Sequence, residues 1–327
     1  MSLLRQQGST ATAPPSAVPA KGLRTPMAGR RPGGLSARTR HKGMGLLLVS
    51  PFLLLFLAFL VAPLAYAFWL SLRTSTLVGG DHFSWFANYK QTFTDPQFLS
   101  GVRRVAVFGV VQIPLMLGLA LVGALIIDEV TSRLAKVFRM TLFMPYAVPA
   151  VIGALMWGFL YSPTFGPVNS ISGSLGLGKV DLLGHGLMLT SLGNIVTWQW
   201  TGYNMIVLYA ALQGLPREVY EAAKLDGAGQ LQTALRIKVP MISSALVLTL
   251  MFTLIGTLQF FTEPRVLEPT ASQVITPDYT PNLYAYNLAF QYSEFNYSAA
   301  ISFSLGAVVF IGSYFFLFAT RKRSGLK

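Results

Sequence analysis

Cysteine is absent from this chain of 327 residues, which excludes a disulfide framework, thiolate zinc sites, iron–sulfur clusters and thiol nucleophiles in one step. Histidine is nearly absent too: His41, His82 and His185 have no spacing that would make a metal site or a catalytic triad. Charge is scarce, at 11% of residues against about 25% in ordinary soluble domains. These shortages remove the usual materials of enzymatic chemistry and of a surface built for water.

What the chain has instead is apolar length. Hydrophobic residues make up 53% of it, with 23 Phe, 13 Tyr and 5 Trp, in runs that match the roughly 20 residues needed to cross a bilayer. Six such runs, at about 45–72, 103–127, 138–161, 188–212, 241–262 and 297–320, predict an all-α membrane protein with six transmembrane helices. The first ends in an interfacial belt of Tyr66, Phe68 and Trp69, the residues favoured at headgroup level. Ala65-Tyr66-Ala67 has the small-x-small pattern of a signal-peptide cleavage site, but the run is longer than a secretory core and follows some 44 residues of tail. Residues 1–44, rich in Pro, Gly, Ser and Arg, cannot bury enough surface to fold alone and are expected to be disordered. Attraction of this tail to anionic lipid is a further expectation.

A net charge of +13 could advertise nucleic acid, but the basic residues sit at the chain ends and in short connections, not on one face. Membrane topology accounts for them better. Of 25 Lys and Arg, 19 fall on one side of the six-helix arrangement, in the N-terminal tail, around Arg133–Arg139, in the 213–240 loop and in residues 321–327. Basic residues accumulate in cytoplasmic loops, so both termini are expected in the cytoplasm. Arg103 and Arg104 fit this pattern poorly and are expected to snorkel or to bond loop carboxylates.

The loop GLPREVYEAAKLDGAGQLQTALRIKVP, Gly214 to Pro240, has structure of its own. Pro216 suits the first position of a helix, Arg217 to Leu225 tolerate helix, and Gly227 supplies a left-handed stop. A second helical piece then runs to a break at Pro240. Ala222 and Ala223 allow close approach by another protein, while Glu218, Glu221 and Lys224 can bond across that contact.

In this loop Glu221, Ala222, Ala223, Asp226, Gly227, Ala228, Ile237 and Pro240 stand in the register of the EAA loop of ABC importer permeases. The chain therefore resembles permeases of binding-protein-dependent importers of the carbohydrate, maltose-type class. Val239 replaces the usual leucine, and Ala234 stands where carbohydrate permeases often carry Phe. Phe138 to Asn169, with Pro145, Pro149, Trp157, Gly166 and Asn169, is similar to the third helix and following loop of those proteins. So are Phe86-Ala87-Asn88-Tyr89, where Ala87 replaces a more usual Glu, Trp198-Gln199, Gly202-Tyr203 and Tyr297 to Ser302. Residues 263–281 depart from the family's Thr-Gly-Gly-Pro turn, which obscures the binding-protein contact.

The resemblance implies a subunit that pairs with a second permease in a heterodimer, with a dimeric ATP-binding subunit and with an extracytoplasmic solute-binding protein. It implies that this chain binds no cofactor, ATP and Mg being used by the ATPase, into whose cleft the loop inserts. The cargo path is sought among polar groups kept inside the spans, which are costly there. Gln112, Gln199, Asn204 and Gln259, with Thr201, Thr257, Trp157, Trp198 and Trp200, offer neutral amides and aromatic faces suited to an uncharged sugar. The bland alternative is that these groups join helix to helix. Other cargo, such as glycerol phosphate or a polyamine, would call for intramembrane charge. A secondary transporter would show internal repeats and buried ionisable groups. Gly173 to Lys179 nearly spells a phosphate loop, but Val180 stands where Ser or Thr would hold magnesium, and no buried strand precedes it.

Overall fold

The computed structural model describes residues 35–76, 79–130, 133–176 and 178–320; the expected disordered stretch before residue 35 and the basic end 321–327 lie outside these. The chain divides into two units, residues 1–58 and 59–327. In the first, α1 (Leu35–Phe56) begins well ahead of the apolar run, so the backbone of residues 35–44 is helical. Phe52 and Phe56, one turn apart, stack at 6.0 Å. A widened helical turn covers Leu57–Val61.

The second unit opens with α2 (Ala62–Ser71) and an antiparallel hairpin, β1 (Arg73–Thr76) with β2 (Gly80–Phe83), in the register Arg73 opposite Phe83. After α3 (Ala87–Thr94), the Asp95 side chain accepts the Gln97 N–H at 2.8 Å and caps α4 (Pro96–Glu129), with Pro96 at the first helical position. At about 1.5 Å per residue, the 34 residues of α4 cover about 50 Å. It is the longest helix of the second unit and the strut along which its other helices pack. Next come α5 (Arg133–Phe143), a 3₁₀ turn Met144–Ala147, α6 (Ala150–Tyr161), α7 (Pro167–Ser174) and α8 (Met188–Gln213). Then follow α9 (Arg217–Leu225), α10 (Gln230–Thr233), a π-helical turn Ala234–Lys238, α11 (Val239–Met241) and α12 (Ser243–Leu258). Last are α13 (Thr262–Leu267), α14 (Pro281–Phe290) and α15 (Phe295–Thr320).

α8 packs along α4 because α4 presents small residues to it. Ala120 and Ala124 are fully buried in one cluster with Met205, Leu208 and Leu212, the close-approach device of membrane helices. At the other end of α4, Phe98 packs with Tyr284, Leu288, Tyr297 and Ile301, which joins α14 and α15 to the bundle.

Among the described residues, four helical stretches are long and apolar enough to cross a membrane: Leu47–Ser71, Pro96–Glu129, Ser243–Leu267 and Phe295–Phe318. A fifth is the pair Leu134–Ala147 and Ala150–Tyr161, bent by 95°. The run 138–161, read from sequence as one helix, is therefore broken. Pro145 and Pro149 remove two donors within five residues, and Pro149 is extended at φ −54°, ψ 133°. α8 has the length, 26 residues, but Thr197, Gln199, Thr201 and Asn204 dilute its apolar character. Length and apolar composition alone thus give four or five spans rather than the six expected.

Arg104 donates to the Tyr279 carbonyl at 2.6 Å, and its guanidinium lies 4.4 Å from the Tyr279 ring centre. Of the two expectations for it, snorkelling or a loop carboxylate, the second is replaced by a carbonyl and a ring. Burial pushes the Tyr279 hydroxyl up to about 12, against the pull of Arg104. The divergent segment 263–281 is a packed part of the fold, with Ala271, Ile275 and Tyr279 in the core beside Phe108 and Leu192.

Candidate functional site

Two places gather the residues singled out by sequence. The first is a cavity of about 230 Å³ in the bundle, lined by Trp200, Tyr203 and Asn204 of α8, Thr257 of α12, and Gln259 and Glu263 just beyond it. α8 brings its three residues to one wall because positions 200, 203 and 204 share a helical face. Tyr146, on the 3₁₀ turn, stacks on Tyr203 at 4.8 Å and meets Trp200 edge-on at 5.4 Å. The proline break thus sets an aromatic cluster beside the cavity. Asn204 is 4% exposed, so an amide is held ready in a largely apolar wall.

The remaining path candidates lie elsewhere. Gln112 donates to the Thr197 hydroxyl at 2.7 Å and joins α4 to α8. Gln199 donates to the Val148 carbonyl at 3.0 Å and ties α8 to the proline break. Trp157 packs against the core cluster of Tyr161 and Leu267, edge-on to Trp198 at 5.8 Å. Its indole N–H, the Gln199 Oε1 and the Thr201 hydroxyl are buried without hydrogen-bond partners. The sequence reading missed Glu263, which is 6% exposed and lines the cavity; its position two residues before Arg265 made it read as part of an outer loop.

The second place is the loop at the carboxyl end of α4. Pro216 is the residue before α9, extended at ψ 134°, and so sits one position earlier than expected. Glu218 in the first turn and Lys224 in the last complement the helix dipole. α9 ends in a Schellman motif: Ala228 N–H donates to Ala223 O at 2.9 Å, Gly227 N–H donates to Lys224 O at 3.1 Å, and Gly227 sits at φ +77°. The two alanines part company. Ala223 is buried against its own chain, while Ala222 faces out with Glu221, Asp226 and Gly227. Ile237 and Ala228 are half-buried, and Pro240 is exposed. Leu225, 89% exposed, and Leu231, 73%, leave apolar side chains bare on a polar loop, a pattern that marks contact surfaces.

Beneath the loop lies a charge cluster that sequence reasoning did not find. Lys238 is 4% exposed and donates to Asp128 Oδ2 at 2.6 Å and to Glu129 Oε1. Its ammonium also lies 4.9 Å from the Tyr220 ring centre. Burial works to lower its pKa, but the bonds to Asp128 and Glu129 outweigh this and hold it above the usual lysine value.

A family model described as binding-protein-dependent transport system inner membrane component matches residues 120–322. The lactose transport system permease protein LacF of Rhizobium radiobacter is 31% identical over 283 residues, covering 85% of this chain and 94% of that protein. The diacetylchitobiose uptake system permease protein NgcF of Streptomyces coelicolor is 29% identical over 275 residues, 79% of this chain and 77% of its own. In fold, the chain is similar to a chain of a bacterial ABC transporter involved in the import of the acidic polysaccharide alginate. The TM-score is 0.77 at 21% identity, with 87% of this chain and 97% of that one covered.

Proposed function

This chain belongs to the family of inner membrane components of binding-protein-dependent transport systems, and on that premise we propose that it is the permease subunit that carries a neutral oligosaccharide across the cytoplasmic membrane. The observation that carries the cargo assignment is the cavity wall of Trp200, Tyr203, Asn204 and Gln259. Aromatic faces with uncharged amides bind sugar hydroxyls, and the one carboxyl of this wall, Glu263, is a further hydrogen-bonding partner for them. The lactose and diacetylchitobiose permeases among its relatives support the same class.

In this reading α8 is the sixth crossing, its polar residues spent on the cavity and on bonds to α4 and the proline break. Both termini are cytoplasmic, by the distribution of Lys and Arg. The partners are a second permease, a dimeric ATP-binding subunit that holds ATP and Mg, and an extracytoplasmic solute-binding protein. Glu221, Ala222, Asp226 and Gly227, with exposed Leu225, form the face offered to the ATPase. Ala223, Ala228, Ile237 and Pro240 shape the loop behind it. ATP binding favours the outward-facing state through its better fit to the closed ATPase dimer, since a ligand shifts an equilibrium only by its differential affinity for the two states.

The test is uptake of a panel of radiolabelled disaccharides into ATP-loaded membrane vesicles carrying the chain and its neighbouring subunits. Accumulation of one disaccharide that stops on ATP depletion is the expected result. Accumulation at an unchanged rate in depleted vesicles would identify a secondary carrier instead.

A further inference from the structure

Both ends of the loop are fastened to one carboxylate. Gln213, the last residue of α8 before the loop, donates from Nε2 to Asp128 Oδ1 at 2.8 Å. Lys238, the residue with which the loop turns back toward α12, donates from Nζ to Asp128 Oδ2 at 2.6 Å. Asp128 lies one residue from the end of α4, separated from Lys238 by 110 positions. The loop from 214 to 237 is thereby closed at its base and riveted to the long strut of the bundle.

We propose that Asp128 and Lys238 are positioning residues that pass the displacement of α9 to α4, so that movement imposed on the loop by the ATPase reaches the cavity as movement of α4. This rests on the reading of the loop as the ATPase contact and adds the route by which the contact acts. Three observations carry it. The side chains of Lys238 and Asp128 are only 5% and 8% exposed, and burial of an ion pair generally adds little net stability over apolar packing; what it does fix is relative position. Glu129, 45% exposed, supplies a second anchor for the same ammonium, and the Tyr220 ring brings α9 itself against it. Finally, Lys238 ends a π-helical turn, a local widening frequent at functional positions, and α4 continues from this rivet to Met116 and Phe108 on the cavity wall.

The experiment uses the complex with its co-purifying ATP-binding partner in lipid nanodiscs. The absence of cysteine lets Leu119→Cys on α4 and Phe310→Cys on α15, both exposed, carry spin labels as the only reactive pair of this chain. ATP with vanadate is the probe. In otherwise wild-type protein the interlabel distance shifts on trapping, and Lys238→Arg, which keeps the charge and both carboxylate partners, preserves the shift. Asp128→Leu with Lys238→Met removes both buried charges together, so neither is left unpaired. This double variant keeps its melting temperature and its partner, but the shifted population falls at least fivefold. A purely structural pair would lower the melting temperature and leave the shift in the surviving protein. A full shift in the double variant overturns the proposal. Wild-type protein that shows no nucleotide-dependent shift and binds no ATPase overturns the reading of the loop, and the proposal with it.

Discussion

Replacing Gly227 in graded steps separates the shape of the loop turn from its chemistry. Gly227 sits at φ +77°, and a Cβ built there meets nothing within 4 Å. Substitution is therefore a matter of backbone, not of collision. Ala in the left-handed region costs roughly 1–2 kcal/mol; Asn tolerates that region better and costs less. Proline is different in kind. Its ring holds φ near about −65°, some ~140° from the native value, and it deletes the N–H that donates to Lys224 O at 3.1 Å, a bond worth about 0.5–1.5 kcal/mol. The Schellman turn cannot form, and Asp226 and Ala228 move off their positions. If docking of the ATPase requires the turn as it stands, 1–2 kcal/mol weakens binding by about 5- to 30-fold for Gly227→Ala. Gly227→Asn is milder, and Gly227→Pro abolishes co-sedimentation of the ATPase and ATP-driven uptake. The assay is co-sedimentation with inverted vesicles titrated with ATPase, beside uptake in the same strains. Wild-type docking by Gly227→Pro, in protein inserted to the normal level, refutes the reasoning.

Other expectations follow from the same geometry. A Cβ at Gly202 would lie 1.8 Å from the Leu142 carbonyl oxygen and 2.9 Å from the Phe143 Cα. Gly202→Ala therefore forces α8 from α5 by about 1 Å and costs roughly 1–3 kcal/mol or more, read as a lower melting temperature in detergent. Asn204→Ala and Gln259→Ala raise the KM for cargo by about 2- to 10-fold each, the worth of one hydrogen bond, without loss of assembly. Gln112→Ala and Gln199→Ala, which break interhelical bonds, act on stability instead. Paired melting and uptake measurements tell the two classes apart. At the far end of α4, burial raises the Asp95 pKa, but bonds from the Tyr297 and Tyr284 hydroxyls and from the Gln97 and Phe98 N–H groups overcome it and hold the carboxyl below its usual 3.8. A depressed carboxyl stabilises the fold above its unfolded pKa and loses that contribution as pH falls through the folded value. Asp95→Asn, which keeps an acceptor at the cap but loses the charge that the two tyrosine hydroxyls favour, is thus less stable than wild type at pH 7, and the gap closes as pH falls through the lowered carboxyl value, below 3.8, in pH-resolved thermal unfolding.

The sequence exposed those features whose cause is local. The turn at Gly227 was legible because a glycine after a short amphipathic run has one common use, and the apolar stretches were legible because a bilayer demands length. The proline pair 145 and 149 marked a break, but not its 95° bend, which brings Tyr146 onto Tyr203 and the Val148 carbonyl to Gln199, contacts between segments distant in sequence. The Asp128–Lys238 bond joins residues 110 positions apart, and each alone reads as a solvated charge at a helix end. Glu263 was hidden in the same way: adjacent charge at Arg265 and Glu268 pointed outward, while α13 turns the residue back to the cavity. Among the amides chosen as a cargo path, sequence could not separate Asn204, which faces the cavity, from Gln112, which is spent on Thr197. That distinction lives in which helix faces which.

The central claim, that the loop from Gly214 to Pro240 is the handle by which an ATPase drives this chain, is tested most directly by affinity purification of the tagged chain from mild detergent with identification of every stoichiometric partner. The account predicts a second permease and an ATP-binding subunit, the latter lost when Glu221 and Gly227 are altered while the former stays. A chain that purifies alone and still transports, or one whose ATPase remains bound after both changes, would contradict it.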